Sequence, residues 1–408
     1  MIERVTLRQK YEKWQQKMLW NTGWNVKEVW LRVYFILCGI KPIKKNKIIF
    51  RTNFGKGYMD HEKYIAEELL KTPEKYELVW LVNDINETMP KGIRKVNNKN
   101  RYEQMREMAT AKIWFDNMLM GGYVRKRRGQ IYINTKHWSS VTLKKFNFDS
   151  PIFIWNKAIE KRWEYNARII DYFITGSDFD TDTVRHGFHY TGKVLQVGSP
   201  RVDVLFHPDD VIHKVYDYYN IPYTTKIFLY APTFRAKRTA ERLSQINVDQ
   251  GLDTKRLHRT LHERFGGDWV IMYRAHPSVN AQALSQSEYV IQVSEYCDSE
   301  ELLCVADIVC SDYSSIVFDP SFVGKPVFLY ATDYEEYLME ERELYFDLHK
   351  LPFPFAENND ELMDNIENFD ETNYKNSLTA FFGPLNVCEN GDACKKVKLF
   401  IDEIIEKY

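Results

Sequence analysis

At 408 residues the chain is too long for one ordinary core, and length alone favours two domains of about 150–200 residues each. With 44% apolar and 15% aromatic residues it can fill both cores, which excludes wholesale disorder. Lys plus Arg is 56 against 57 Asp plus Glu, a formal charge of -1, which excludes a general nucleic-acid binder because such proteins carry a basic excess.

The first forty residues interleave Trp14, Met18, Leu19, Trp20, Trp24, Val29, Trp30, Val33 and Phe35 with Lys10, Lys13, Lys17, Lys27 and Arg32, and KPIKKNK (41–47) follows. An aromatic, basic, amphipathic start of this kind can lie in an anionic membrane interface. It can equally be a helical arm packed on its own domain or across a homo-oligomer interface. VWLRVYFILCGI (29–40) falls short of the roughly 20 apolar residues a spanning helix needs. Six cysteines, none in a CxxC pair, read as buried thiols of a reducing, cytoplasmic compartment; Cys388 and Cys394, flanking ENGDA, can also pair. Nothing in the pattern calls for a metal.

From residue 47 strand and helix alternate. KIIFRTN (47–53) is a strand that leads through FGKGYMD into a helix at about 61–70. YELVWLV (76–82) is the next strand, followed by MPKGIRKV as a turn region, a helix near 100–109 and the strand AKIWFDN (111–117). GQIYINT (129–135), DYFITGS (171–177) and KVLQVGS (193–199) continue the alternation expected of a parallel sheet with crossover helices. After a polar helix at about 208–219 the cycle restarts with KIFLYAPT (226–233), DWVIMYRAHP (268–277), YVIQVS (289–294), ADIVCSD (306–312) and KPVFLYA (325–331). CKKVKLFIDEIIEKY (394–408) is a final helix that can pack on either half. The expected organisation is a helical segment 1–46, a first Rossmann-like domain 47–215, a second 216–390 and a closing helix 391–408.

Open parallel sheets bind ligands at the carboxyl ends of their strands. Cationic and hydroxyl groups cluster there in both halves, as a phosphate-rich ligand between domains would require. RAHP sets Arg274 and His276 on one side of an extended segment, where a guanidinium and an imidazole suit a phosphoryl group. His137, at the end of GQIYINT, precedes Ser139 and Ser140, with Lys144 shortly after. It can take a proton from an alcohol, while the serines can cap a helix starting near Val141. Thr233 and Arg235 end one strand, and Arg201 and Asp203 surround the bend in GSPRVD. In CSDYSSIVFD one of Ser314 and Ser315 can cap the following helix and the other face an anion. Asp312 suits orienting a neighbour or receiving a ligand hydroxyl. Lys56 lies in a GKG turn that lacks P-loop spacing but allows close approach.

The order of FGKGYMDHEKYIAEEL, GSPRVDVLF, YAPTFR, RAHP, SDYSSIVFD and KPVFLYATDYEEY resembles the CDP-glycerol glycerophosphotransferase family of teichoic-acid enzymes over about residues 47–375. That resemblance implies two Rossmann-like domains in a GT-B-like arrangement. It also implies a CDP-activated polyol as donor, no cofactor, and a lipid-linked acceptor met at the inner face of the cell membrane. The family's Trp-His-Gly-Thr-Pro-Leu-Lys motif reads here Lys136-His137-Trp138-Ser139-Ser140, with the Leu-Lys element arriving late at Leu143–Lys144, so Trp138 is expected to fill space beside His137. By the same resemblance His137 is the catalytic base and His276 acts at the diphosphate. Arg235, Thr233, Arg274, Ser314 and Ser315 line the donor diphosphate, Asp312, Arg201 and Asp203 orient, and Lys56, Ser139, Ser140 and Lys144 belong to the acceptor side or its loops. CDP-ribitol transfer, sugar transfer from a nucleotide donor and a non-catalytic membrane scaffold remain alternatives.

Overall fold

The computed structural model describes residues 26–150, 157–233, 251–275, 288–340 and 343–407. In the first lobe the order is α1 (Val26–Cys38), β1 (Lys44–Arg51), α2 (Asp60–Leu70), β2 (Glu77–Val82), β3 (Ile93–Asn97), α3 (Arg101–Thr110), β4 (Ala111–Asp116) and β5 (Ile131–Asn134). It continues with α4 (Lys157–Ile169), β6 (Tyr172–Thr175), α5 (Asp178–Gly187) and β7 (Lys193–Gln196). The chain then crosses through α6 (Asp203–Phe206) and α7 (Asp209–Tyr219) to β8 (Lys226–Tyr230), α8 (Thr254–Phe265), β9 (Trp269–Tyr273), β10 (Val290–Gln292), α9 (Ser299–Val305) and β11 (Ile308–Ser311). α10 (Phe318–Ser321), β12 (Val327–Tyr330), α11 (Tyr334–Glu340), β13 (Phe355–Ala356), α12 (Asn359–Glu367), α13 (Glu371–Phe382) and α14 (Ala393–Glu406) complete it.

Both sheets are parallel throughout, in the orders β3-β2-β1-β4-β5-β6-β7 and β10-β9-β8-β11-β12-β13. Central strands are buried on both faces, so they read as continuous apolar runs. Alternation then sorts the side chains of the first sheet. Ile48, Phe50, Trp80 and Phe115 face α2 and α14, whereas Ile49, Val79, Leu81 and Trp114 face α1 and α3. The second sheet has one large core, which the chain joins at Val202 and Leu205.

Two expectations change, and one alternative falls away. The supposed turn region MPKGIRKV (89–96) runs into edge strand β3, whose Arg94 and Lys95 interrupt the apolar alternation; charge is a common feature of sheet edges. No helix starts at Val141; residues 138–146 form a loop, because Ser139 and Ser140 are drawn into hydrogen bonds elsewhere. Cys388 and Cys394 are free thiols, the second buried in α14. The closing helix chooses the first lobe, where Val397, Ile401, Ile404 and Ile405 join Ile65 and Leu69 of α2. The whole is two Rossmann-like lobes in a GT-B-like arrangement.

Candidate active site

Strand order reverses direction at β1/β4 in the first sheet and at β8/β11 in the second, and crevices open outside such switch points. The exit of β1 is a strained loop. Asn53 (φ 44°), Phe54 (φ 59°) and Asp60 (φ 61°) are left-handed non-glycines, with Gly55 and Gly57 also at positive φ. Neighbouring amides hold it: Asn83 and Asn98 both donate to the Phe54 carbonyl (3.1 and 2.7 Å), and the Asn53 N–H donates to Asn117 (2.8 Å). Lys56 is exposed on this loop.

The loop after β5 turns at Lys136, also left-handed (φ 55°). Four consecutive carbonyls then receive buried donors. Arg201 Nη1 donates to His137 O (3.2 Å), His61 Nε2 and Lys136 Nζ to Trp138 O (3.0 Å each), Lys136 Nζ to Ser139 O (3.0 Å), and Ser177 Oγ to Ser140 O (2.6 Å). Lys136 is fully buried and paired with Asp180 (2.9 Å), so its charge is compensated. With its backbone held this way, the His137 side chain is the exposed one of the loop. Trp138 stands beside His137, its ring edge-to-face with the imidazole (centroids 5.1 Å). Its ring enters the core against Phe146 and Phe188 (centroids 4.4 and 6.4 Å), and its Nε1 donates to Asp180 (2.9 Å).

Arg201 joins the lobes. Its guanidinium reaches Asp60 (3.3 Å) in the first and Asp319 (2.7 Å) and Glu300 (3.4 Å) in the second. His61 lies between Arg201 and the His137 loop: its Nδ1 accepts from the Arg201 N–H (3.4 Å), so Nε2 carries the proton given to Trp138 O. Burial, and then the neighbouring Arg201 and Lys136 charges, hold the His61 pKa down to about 3 against the pull of Asp60, and the ring is neutral.

The two serines after His137 also serve the junction. Ser139 Oγ donates to Asp319, and Ser140 Oγ to Glu389 in the segment before α14. Glu389 also accepts the Ser199 N–H (2.9 Å), and burial pushes its pKa up to about 7. Lys144 lies over the Tyr337 ring (5.9 Å), and its backbone bridges to Leu344. Asp203 is turned to the closing helix, accepting the N–H groups of Ala393 and Cys394 (3.0 and 2.7 Å).

In the second lobe Asp312 orients the exit of β8. Its two oxygens accept the Thr233 N–H (2.8 and 3.0 Å), and one also takes the Tyr313 N–H. Ser314 caps the helical turn Ser315–Val317, accepting the Ile316 N–H (3.4 Å). Ser315 is turned to the first lobe instead, where it accepts the Leu143 N–H (3.0 Å) and meets Thr142 Oγ1 (3.1 Å). Arg274, at the exit of β9, has a buried Nη1 without a hydrogen-bond partner among the described residues, and burial lowers its pKa. A buried donor left this way is costly unless a ligand anion meets it. His276 and Arg235 lie outside the described residues.

The sequence reading missed Asp60, His61, Lys136, Asp180, Asp319 and Glu389. The one local signal was DHEK (60–63), four consecutive ionisable residues at a helix start. All four are buried, Lys63 against Asp298 and Glu301 of the second lobe.

Two parallel α/β lobes meeting at their strand exits define the class of two-domain, GT-B-like proteins, with a crevice at the switch points. The family described as CDP-glycerol:poly(glycerophosphate) glycerophosphotransferase matches residues 33–402, and the chain belongs to it. It is thus an enzyme of the glycerophosphotransferase class that this family description names. A teichoic acid glycerol-phosphate transferase of Staphylococcus aureus (strain NCTC 8325 / PS 47) is 28% identical over 373 residues, covering 86% of this chain and 92% of the relative. A teichoic acid poly(glycerol phosphate) polymerase of Staphylococcus epidermidis is 27% identical over 381 residues; these are 90% of this chain but 51% of that protein, so the chain spans about half its length. The solved structure of the wall teichoic acid polymerase TagF has the same fold, with a TM-score of 0.81 at 24% identity over 99% of both chains.

Proposed function

We propose that the acceptor is a lipid-linked glycopolymer precursor and that His137 takes the proton from its attacking hydroxyl. The hydroxyl oxygen forms a bond to the phosphorus that carries glycerol, the bond from that phosphorus to the CMP oxygen breaks, and CMP leaves with the electron pair. One observation carries this reading: the carbonyls of residues 137–140 are all held by buried donors, which leaves an exposed imidazole on a fixed backbone at a strand exit. Holding a base in place supplies part of the barrier reduction through orientation. Arg274 supports a donor diphosphate on the opposite lobe, with Thr233, Ser314, Arg235 and His276 from the neighbouring motifs. A donor panel with a defined lipid-linked acceptor tests the reaction. Release of CMP from CDP-glycerol is expected; preference for CDP-ribitol, or sugar transfer from UDP or GDP donors, would replace it with one of the alternatives.

The same reading places the enzyme in the cytoplasm, attached peripherally to the inner face of the membrane. Among the described residues no helix is long and apolar enough to cross a bilayer. α1 has two apolar faces. Leu31 and Phe35 enter the first core, whereas Val29, Trp30, Val33, Ile36, Leu37 and, just beyond, Ile40 are exposed. Exposed lysines 41, 44 and 45 follow directly, complementary to anionic headgroups. Flotation of the protein with anionic vesicles supports this attachment; self-association without flotation assigns the face to a second copy.

A further inference from the structure

Along the outer edge of the first lobe runs a groove of about 780 Å³, walled by α1, α3 and edge strand β3. None of the active-site residues described above lines it. Its polar wall carries Lys41, Lys44, Lys47, Arg94, Lys95 and Arg106. Three carboxylates face these six cations: Glu77, Glu103 and Glu107. Glu77 is taken by Lys44 (2.8 Å) and Arg94 (3.0 Å), and Glu107 by Lys47 (2.5 Å) and Arg94 (2.6 Å). Lys41 and Arg106 are exposed and form no ion pair among the described residues, so the excess positive charge has two unengaged donors at the surface. The other wall is apolar, formed by Leu37, Ile85 and Val96. Leu37 belongs at once to this wall and to the exposed apolar face of α1.

A groove with a cationic side, an apolar side and a mouth beside an exposed apolar helix matches a molecule with an anionic head and an apolar tail. We propose that it binds the phosphate headgroup of an anionic phospholipid while the outer face of α1 enters the membrane interface. The proposal rests on the membrane reading above and deepens it, by assigning the anionic preference to a built site rather than to diffuse charge. Lys41 and Arg106 reach the phosphate, and the paired Lys44, Lys47 and Arg94 hold the wall in place. Because none of the active-site residues lines the groove, its occupancy is not required for the chemical step.

The test uses the full chain and dihexanoylphosphatidylglycerol below its micelle concentration, with dihexanoylphosphatidylcholine as the uncharged-headgroup control. Binding is read by calorimetry, beside flotation on phosphatidylglycerol-containing and pure phosphatidylcholine vesicles. The wild type binds the short-chain anionic lipid in preference to the control. Lys41→Ser with Arg106→Ser weakens that binding by about 30-fold, about fivefold for each basic residue near an anionic surface, and leaves turnover of a soluble acceptor analogue unchanged. Trp30→Ser with Ile36→Ser loses flotation yet keeps the short-chain lipid. If that pair floats normally while the short-chain lipid still requires Lys41 and Arg106, the groove stands and the α1 attachment fails. Equal binding of the lipid by wild type and the Lys41/Arg106 variant overturns the groove, as does its failure to bind the wild type. Glycerol 3-phosphate competing as well as the lipid would assign the site to a soluble phosphate and overturn the lipid assignment.

Discussion

His137 could be picked out in the sequence because it stands at a strand exit beside hydroxyls, where chemistry is expected. The residues that fix it could not. DHEK at a helix start reads as a solvated charged turn, since spacing carries no information on which lobe will close over it; here Arg201 and the second lobe bury all four. His61 shows the consequence in its titration. An unfolded imidazole binds a proton below about pH 6.5, whereas in the fold this occurs only near about 3, so between these values the unfolded state holds more protons and stability rises with pH. The contribution is complete above about pH 6.5 and is lost as the pH falls toward 3. His61→Gln keeps an N–H for the Trp138 carbonyl and removes the titration. Urea unfolding at several pH values in this window should show a slope shallower than wild type by up to about 1.4 kcal/mol per pH unit. Equal slopes would mean that His61 is charged in the fold.

Among the elements, central strands were legible and edges were not. IIF, LVWLV and KIWF read as strands because both faces are buried, while Ile93–Asn97 at the edge keeps its charges and passed for a turn. The helix expected after Ser139 and Ser140 fails for a tertiary reason: their hydroxyls serve Asp319 and Glu389, and the backbone of Leu143 and Lys145 pairs with residues 343 and 345. The serine pair at 314–315 divides its work in a similar way, one capping and one crossing to the first lobe. α14 was legible as a helix but not in its destination, because its apolar stripe would fit either lobe. Ile401, fully buried among Val397, Ile65 and Leu69, makes the destination testable. Ile401→Ala should cost about 2–5 kcal/mol in denaturant unfolding; a cost comparable to that of a surface substitution would place α14 elsewhere.

At the scale of the molecule, two parallel-sheet lobes are joined by a junction of buried charge. Lys63 meets Asp298 and Glu301, and Arg201 meets Asp319 while holding the His137 carbonyl. Such pairs stabilise little on balance, because desolvation offsets much of their attraction, but breaking one side is costly. Their effect here is geometric: closing the lobes and fixing the His137 backbone are one event, since Arg201 does both. The repeated strand–helix alternation made the two-lobe plan legible. The junction was not, because it depends on pairs more than a hundred residues apart. The proposed proton transfer at His137 is tested most directly by CMP release from wild type and His137→Ala with CDP-glycerol and a lipid-linked acceptor both saturating, alongside calorimetric CDP-glycerol binding. Loss of a well-placed base predicts turnover lower by about 10²–10⁴ with donor affinity within about twofold of wild type; a folded His137→Ala enzyme that releases CMP at a near-native rate would contradict it.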